Sequence, residues 1–76
     1  MTPKSFRIAL RSFARQRPFR PFLIEFSSGN HIRVPHPEAV SYHGSLLVFR
    51  SAEGVYALFE CHEVTRVMGE ENLELG

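Results

Sequence analysis

Seventy-six residues, 43% of them hydrophobic and 22% charged, with a formal net charge of +1, describe one domain near the lower size limit for a core that folds unaided. A chain of this length buries only about 60% of its unfolded surface, which leaves little material for a catalytic cleft and makes self-association a natural supplement to stability. Cys61 stands alone, which excludes an intramolecular disulfide and suits a reducing cytoplasm.

The longest unbroken apolar run, Val55 to Phe59, is far too short to span a membrane. Lys4, Arg7 and Arg11 lie among the first apolar residues with no separate apolar stretch after them, so no secretory signal is expected. Seven phenylalanines and no tryptophan point to a core built around phenylalanine.

The chain opens as a helix, expected over about residues 3–16. Thr2 is a good N-cap, and Pro3 fits the first helical position, where its missing N–H costs nothing. Phe6, Leu10 and Phe13 follow at i, i+4 and i+7, with Ala9 and Ala14 beside them. Lys4, Arg7, Arg11 and Arg15 recur every three or four residues. One helix thus carries an apolar seam and a cationic ridge.

"RPFRPF", Arg17 to Phe22, repeats a tripeptide and ends the helix. Pro18 lacks an N–H and clashes with the preceding turn, so the helix should stop at about Gln16 or Arg17. Pro21 suits the first residue of a strand. Phe19 and Phe22 then point inward on either side of a corner.

Strands are expected within residues 21–68. Phe22, Ile24 and Phe26 alternate with Leu23 and Glu25, "SSGN" is a turn, and His31 to Val34 alternates again, which reads as a hairpin. "PHPE" breaks the second strand, Val40 to Tyr42 is a short extended piece, and His43-Gly44 turns the chain. Ser45 to Arg50, Val55 to Glu60 and Val64 to Met68 follow as strands, with "SAEG" as a turn between the first two. The acidic tail, residues 69–76, is expected to fray. About five short antiparallel strands after one helix point to a mainly β fold, a small five-stranded barrel capped by the helix, as a single domain over 1–76. The expected core comprises Phe6, Leu10, Phe13, Phe22, Ile24, Phe26, Ile32, Val34, Leu46, Val48, Ala57 and Phe59.

"FLIEFSSGNHIRV" resembles the opening hairpin of Sm-like proteins, and "HEVTRVM" resembles the last short strand of that SH3-like fold. The resemblance implies a short helix capping an open, strongly bent five-stranded barrel. "RPFRPFLIEFSSG" followed by "VPHPEAV" also resembles a group of small bacterial proteins with an RPFRPF…DG…V.HPE pattern, over most of residues 13–68, and brings no activity with it. Ser28 stands where the usual acidic residue precedes the turn glycine. "RVMGEE" stands where Sm-like rings carry the Arg-Gly pair that helps hold a base, so the resemblance implies the fold more than RNA binding.

The net charge hides a polarity along the chain. Residues 1–36 carry Lys4, Arg7, Arg11, Arg15, Arg17, Arg20 and Arg33 against Glu25, a balance of +6. Residues 37–76 carry Arg50 and Arg66 against Glu38, Glu53, Glu60, Glu63, Glu70, Glu71 and Glu74, a balance of −5. An anionic partner for the basic half, or association between basic and acidic faces, would each account for it.

Four chemistries compete. His31, His36, His43, Cys61 and His62 lack the spacings that set metal ligands on one side of a turn or helix, so no metal and no cofactor are expected. Cys61 and His62 are adjacent, rarely the geometry of a thiolate–imidazolium pair, so no catalytic residue, enzymatic activity or small-molecule substrate is expected. Cys61 reads as a small buried residue, His62 as a side chain bonding the backbone, and Glu38 as a turn cap. Lys4, Arg7, Arg11, Arg15, Arg17, Arg20 and Arg33 form a candidate nucleic-acid surface, with Phe19 or Tyr42 to stack on bases, although no RNP, KH or zinc-finger signature accompanies them. The plainer reading is a solvated helix face. The leading expectation is a non-enzymatic cytoplasmic binding module that associates with itself or a protein partner through "LLVF" or "VYALF". Nucleic-acid binding through the ridge is the alternative.

Overall fold

The structure, a computed structural model, describes residues 1–70. Helix α1 spans Pro3–Ala14. Thr2 caps it, with Oγ1 accepting from the Ser5 N–H at 3.1 Å. Phe6 is wholly buried, and Leu10 and Phe13 pack half-buried against the same core, so the apolar seam docks as its spacing predicts.

The helix ends at Ala14, two residues short of the expected boundary. Gln16 explains the early stop. Its Nε2 donates to the carbonyl of Phe13 at 2.8 Å and to that of Arg20 at 3.1 Å. One amide thereby adds a closer donor to the Phe13 carbonyl, which also accepts from the Gln16 N–H at 3.4 Å, and ties the helix end to the far side of the corner. "RPFRPF" is that corner, with a cis Arg17–Pro18 bond. Phe22 is buried behind it, its ring 5.2 Å from Phe13 and 6.0 Å from Phe19. Both arginines and Pro18 stay exposed.

Among the described residues six strands follow rather than five: β1 (Phe22–Phe26), β2 (His31–Val34), β3 (Val40–His43), β4 (Leu46–Arg50), β5 (Tyr56–Glu60) and β6 (Val64–Gly69). The extra strand arises at "PHPEA". Pro35 and Pro37 offer no N–H to a ladder, so the chain makes one turn of 3-10 helix at Pro37–Ala39 and resumes as β3 in a different sheet. The ladders form two three-stranded antiparallel sheets, ordered β2-β1-β6 and β3-β4-β5, and do not close into a barrel.

The β1–β2 hairpin turns where expected. Gly29 sits at φ +94°, and its N–H reaches the carbonyl of Phe26 at 2.9 Å. β1 is the central strand of its sheet, and Leu23 is buried as well as Phe22, Ile24 and Phe26. β6 joins β1 with a register shift between Glu25 and Phe26. The first two residues of the stretch expected to fray, 69 and 70, are instead held in the fold. Gly69 closes β6 and Glu70 ion-pairs with Arg33, while residues 71–76 lie outside the described residues.

The core lies between the sheets under α1, and Phe6, Phe22, Ile24, Val34, Leu47 and Val64 are fully buried in it. Strand β4 corrects the expected core. Leu47 points inward and Phe49 packs beside it, while Leu46 and Val48 take the opposite face. "LLVF" is apolar at both parities, so alternation cannot choose between them. The partners choose: Leu47 lies opposite Tyr42 on β3 and Phe59 on β5, whose side chains also pack on the core.

Candidate functional site

Three surfaces are candidates, and the first and third carry residues singled out in the sequence. The first is the cationic face of α1. Lys4, Arg7, Arg11 and Arg15 are exposed and line one shallow depression with Ile8 and Ser12. No acidic residue lies on the helix, so its potential is uniformly positive. Arg17 and Arg20 follow on the corner. Arg33 does not join this face by its element: it lies on β2 and pairs with Glu70.

The two aromatic side chains expected to stack on bases are engaged. Phe19 packs half-buried against Phe22. The Tyr42 hydroxyl donates to the Pro3 carbonyl at 3.2 Å, and its ring centroid lies 5.7 Å from that of Phe6. The Arg7 guanidinium carbon sits 6.0 Å from the centre of the same ring, at the limit of a cation–π contact. Tyr42 thus braces the helix start against β3.

The second surface is a groove of about 620 Å³ beside Tyr42, between α1 and β3. Leu10, Ala14 and Phe22 give it an apolar floor, Val40 and Tyr42 one wall, and Arg7 and Arg11 a basic rim. Sequence reading assigned Arg7 and Arg11 to the ridge and missed the groove. The one available signal was Val40 and Tyr42 at strand spacing, directly after the proline break that turns them toward the helix.

The third surface is the outer face of β4 and β5. Register pairs Val48 with Leu58 and Arg50 with Tyr56, so these four side chains share one face. Leu58 is 62% exposed, Tyr56 64% and the neighbouring Val55 65%. Among the described residues β5 is also an edge strand, with no ladder partner on its outer side.

The histidines stay apart. His31, His36, His43 and His62 are exposed at separate points, and among the described residues no three His, Cys, Asp or Glu side chains converge on a metal-sized site. Cys61 is buried, as its small apolar character implies, in a turn of 3-10 helix at Cys61–Glu63. Glu60 and Glu63 cap that turn reciprocally, with the Glu60 N–H donating to Glu63 Oε2 at 2.9 Å. The cap expected at Glu38 is not formed. Among the described residues, no helix is long and apolar enough to cross a membrane. No family model matches the chain, and neither a curated protein nor a solved structure matches it.

Proposed function

We propose that the chain is a small, non-enzymatic binding module that associates with itself through the outer face of β4 and β5. The observation that carries this reading is the contiguous apolar patch of Val48, Tyr56 and Leu58 on an edge-strand face. Large apolar side chains in register on a solvent-facing sheet carry a hydration cost that covering them relieves.

The charges flanking the patch favour a second copy as the cover. Arg50 lies at one end of β4, and Glu60, opposite Leu46, lies at the other, with the Val48–Leu58 row between them. A two-fold axis through that row sets Arg50 of each copy toward Glu60 of the other, the self-complementarity an isologous contact needs. An Sm-like or SH3-like barrel is the fold assignment that goes with this reading. Its support is connectivity: β2 and β3 are consecutive and read as one long strand broken at Pro35–Pro37, which would join the two sheets into the order of an open five-stranded barrel.

Sedimentation velocity over a range of concentrations tests the proposal. A reversible dimer is expected. Leu58→Lys and Arg50→Glu should each shift it toward monomer without lowering the melting temperature at a fixed low concentration. A monomer at every concentration, or association indifferent to both substitutions, removes the reading.

A second reading rests on a different observation, the uninterrupted cationic face of Lys4, Arg7, Arg11 and Arg15. Such a face tracks phosphates by releasing counterions, so affinity for single-stranded RNA would fall steeply with salt. Anisotropy of a labelled oligonucleotide at low and moderate salt decides it, and absence of binding at low salt ends it.

A further inference from the structure

The groove between α1 and β3 joins a strand edge and an apolar floor, which neither reading above uses, to two arginines of the cationic face. Among the described residues β3 pairs with β4 alone, so alternate N–H and C=O groups along its other side have no ladder partner there, and Val40, Ser41 and Tyr42 line the groove. The floor is apolar, with half-buried Leu10 and Ala14 at its base. The rim is cationic: Arg7 and Arg11 are among the lining residues, and no carboxylate is. Its volume of about 620 Å³ falls within the span of ligand-holding pockets, about 300–1,000 Å³.

We propose that this groove binds an extended acidic peptide of a partner protein, which adds to β3 as a further strand. Main-chain hydrogen bonds to the free edge of β3 supply the common part of the affinity. An aliphatic side chain of the peptide rests on Leu10 and Ala14. Its carboxylates meet Arg7 and Arg11, whose geometry suits paired hydrogen bonds. Tyr42, held to Pro3 by its hydroxyl and lying near Arg7, keeps the wall in place before the peptide arrives.

A nucleic acid would find phosphate partners on the outer ridge but has no use for a strand edge beside an apolar floor. The site is also separate from the self-association face. β3 and β5 are opposite edges of one sheet, so either surface can fail without the other.

The test is anisotropy of a fluorescein-labelled Val-Glu-Leu-Glu-Val-Glu peptide titrated with the full chain, with amide chemical-shift mapping of the same mixture. Saturable micromolar binding is expected, with shifts confined to α1, β1 and β3. Arg11→Glu, on an exposed side chain, should weaken binding about tenfold or more. A lysine-for-glutamate peptide and a peptide N-methylated at alternate residues should not bind. No binding at low salt, equal binding by the N-methylated peptide, or shifts centred on β5 would overturn the proposal. A uridine oligonucleotide that displaces the peptide and shows the same dependence on Arg11 would assign the arginines to polyanions instead. Binding seen only in a variant ending at Glu70 would assign the groove to the chain's own acidic end and overturn the partner assignment.

Discussion

Phe26 on β1 and Phe59 on β5 stack with ring centroids 4.4 Å apart and ring planes 32° from parallel, joining the two sheets side chain to side chain where no backbone ladder does. Phe26 is almost wholly buried and Phe59 half-buried, so the pair contributes both apolar area and ring contact. Phe26→Ala should lower unfolding free energy by about 3–4 kcal/mol, a large share of what a domain this small holds. Urea denaturation measures the loss. A double-mutant cycle with Phe59→Leu should return a coupling of about 1 kcal/mol, and additivity would mean that the sheets are held together elsewhere.

Gln16 makes a sharper test of the corner. Its amide donates to two carbonyls, Phe13 and Arg20, which face one another across the end of α1. Gln16→Ala removes the donors and should cost about 1 kcal/mol. Gln16→Glu keeps the size but sets a carboxylate against two acceptors, and it should cost more than alanine at neutral pH. Equal melting temperatures for the two variants would show that the amide does not bridge the corner.

The ion pair of Arg66 with Glu25, at 2.7 Å, lies on the surface, and the Arg66 side chain is 64% exposed. Arg66→Ala should therefore change stability by less than about 1 kcal/mol, and the difference should shrink as salt is added. A larger, salt-insensitive effect would implicate packing of the arginine stem instead. Thermal melts at two ionic strengths separate these outcomes.

Where one physical rule dominates, the fold is legible in the residues. Thr2-Pro3 sets the start of α1, the 3.6-residue stripe sets its buried face, and Gly29 sets the first hairpin turn. The proline break at residues 35–37 is equally plain. Its consequence, a strand on each side belonging to different sheets, depends on tertiary pairing that no local pattern carries. Gln16 escaped because a side-chain amide bridging two carbonyls needs both of them placed first. The candidate surfaces divide in the same way. The cationic ridge follows from spacing on one helix, whereas the groove requires α1 and β3 to be neighbours in space. The patch on β5 was legible as an apolar run and a candidate association surface, but not which of its side chains face outward, because that parity is decided by β4.

That parity is open to direct experiment. Leu46 and Leu47 are adjacent and identical in type, and they differ only in the side of β4 they occupy. Leu47 is fully buried between Tyr42 and Phe59, whereas Leu46 is half-buried on the outer face opposite Glu60. Leu47→Ala should leave a cavity and lose about 3–4 kcal/mol, enough to unfold much of the population of a marginal domain. Leu46→Ala removes the same atoms from a site that stays open to water and should lose no more than about 1 kcal/mol. Chemical denaturation of both variants at low protein concentration reads the difference without a contribution from association. Reversal of the order would put Leu46 and Val48 in the core, turn Leu58 inward with them, and remove the apolar face on which self-association is built.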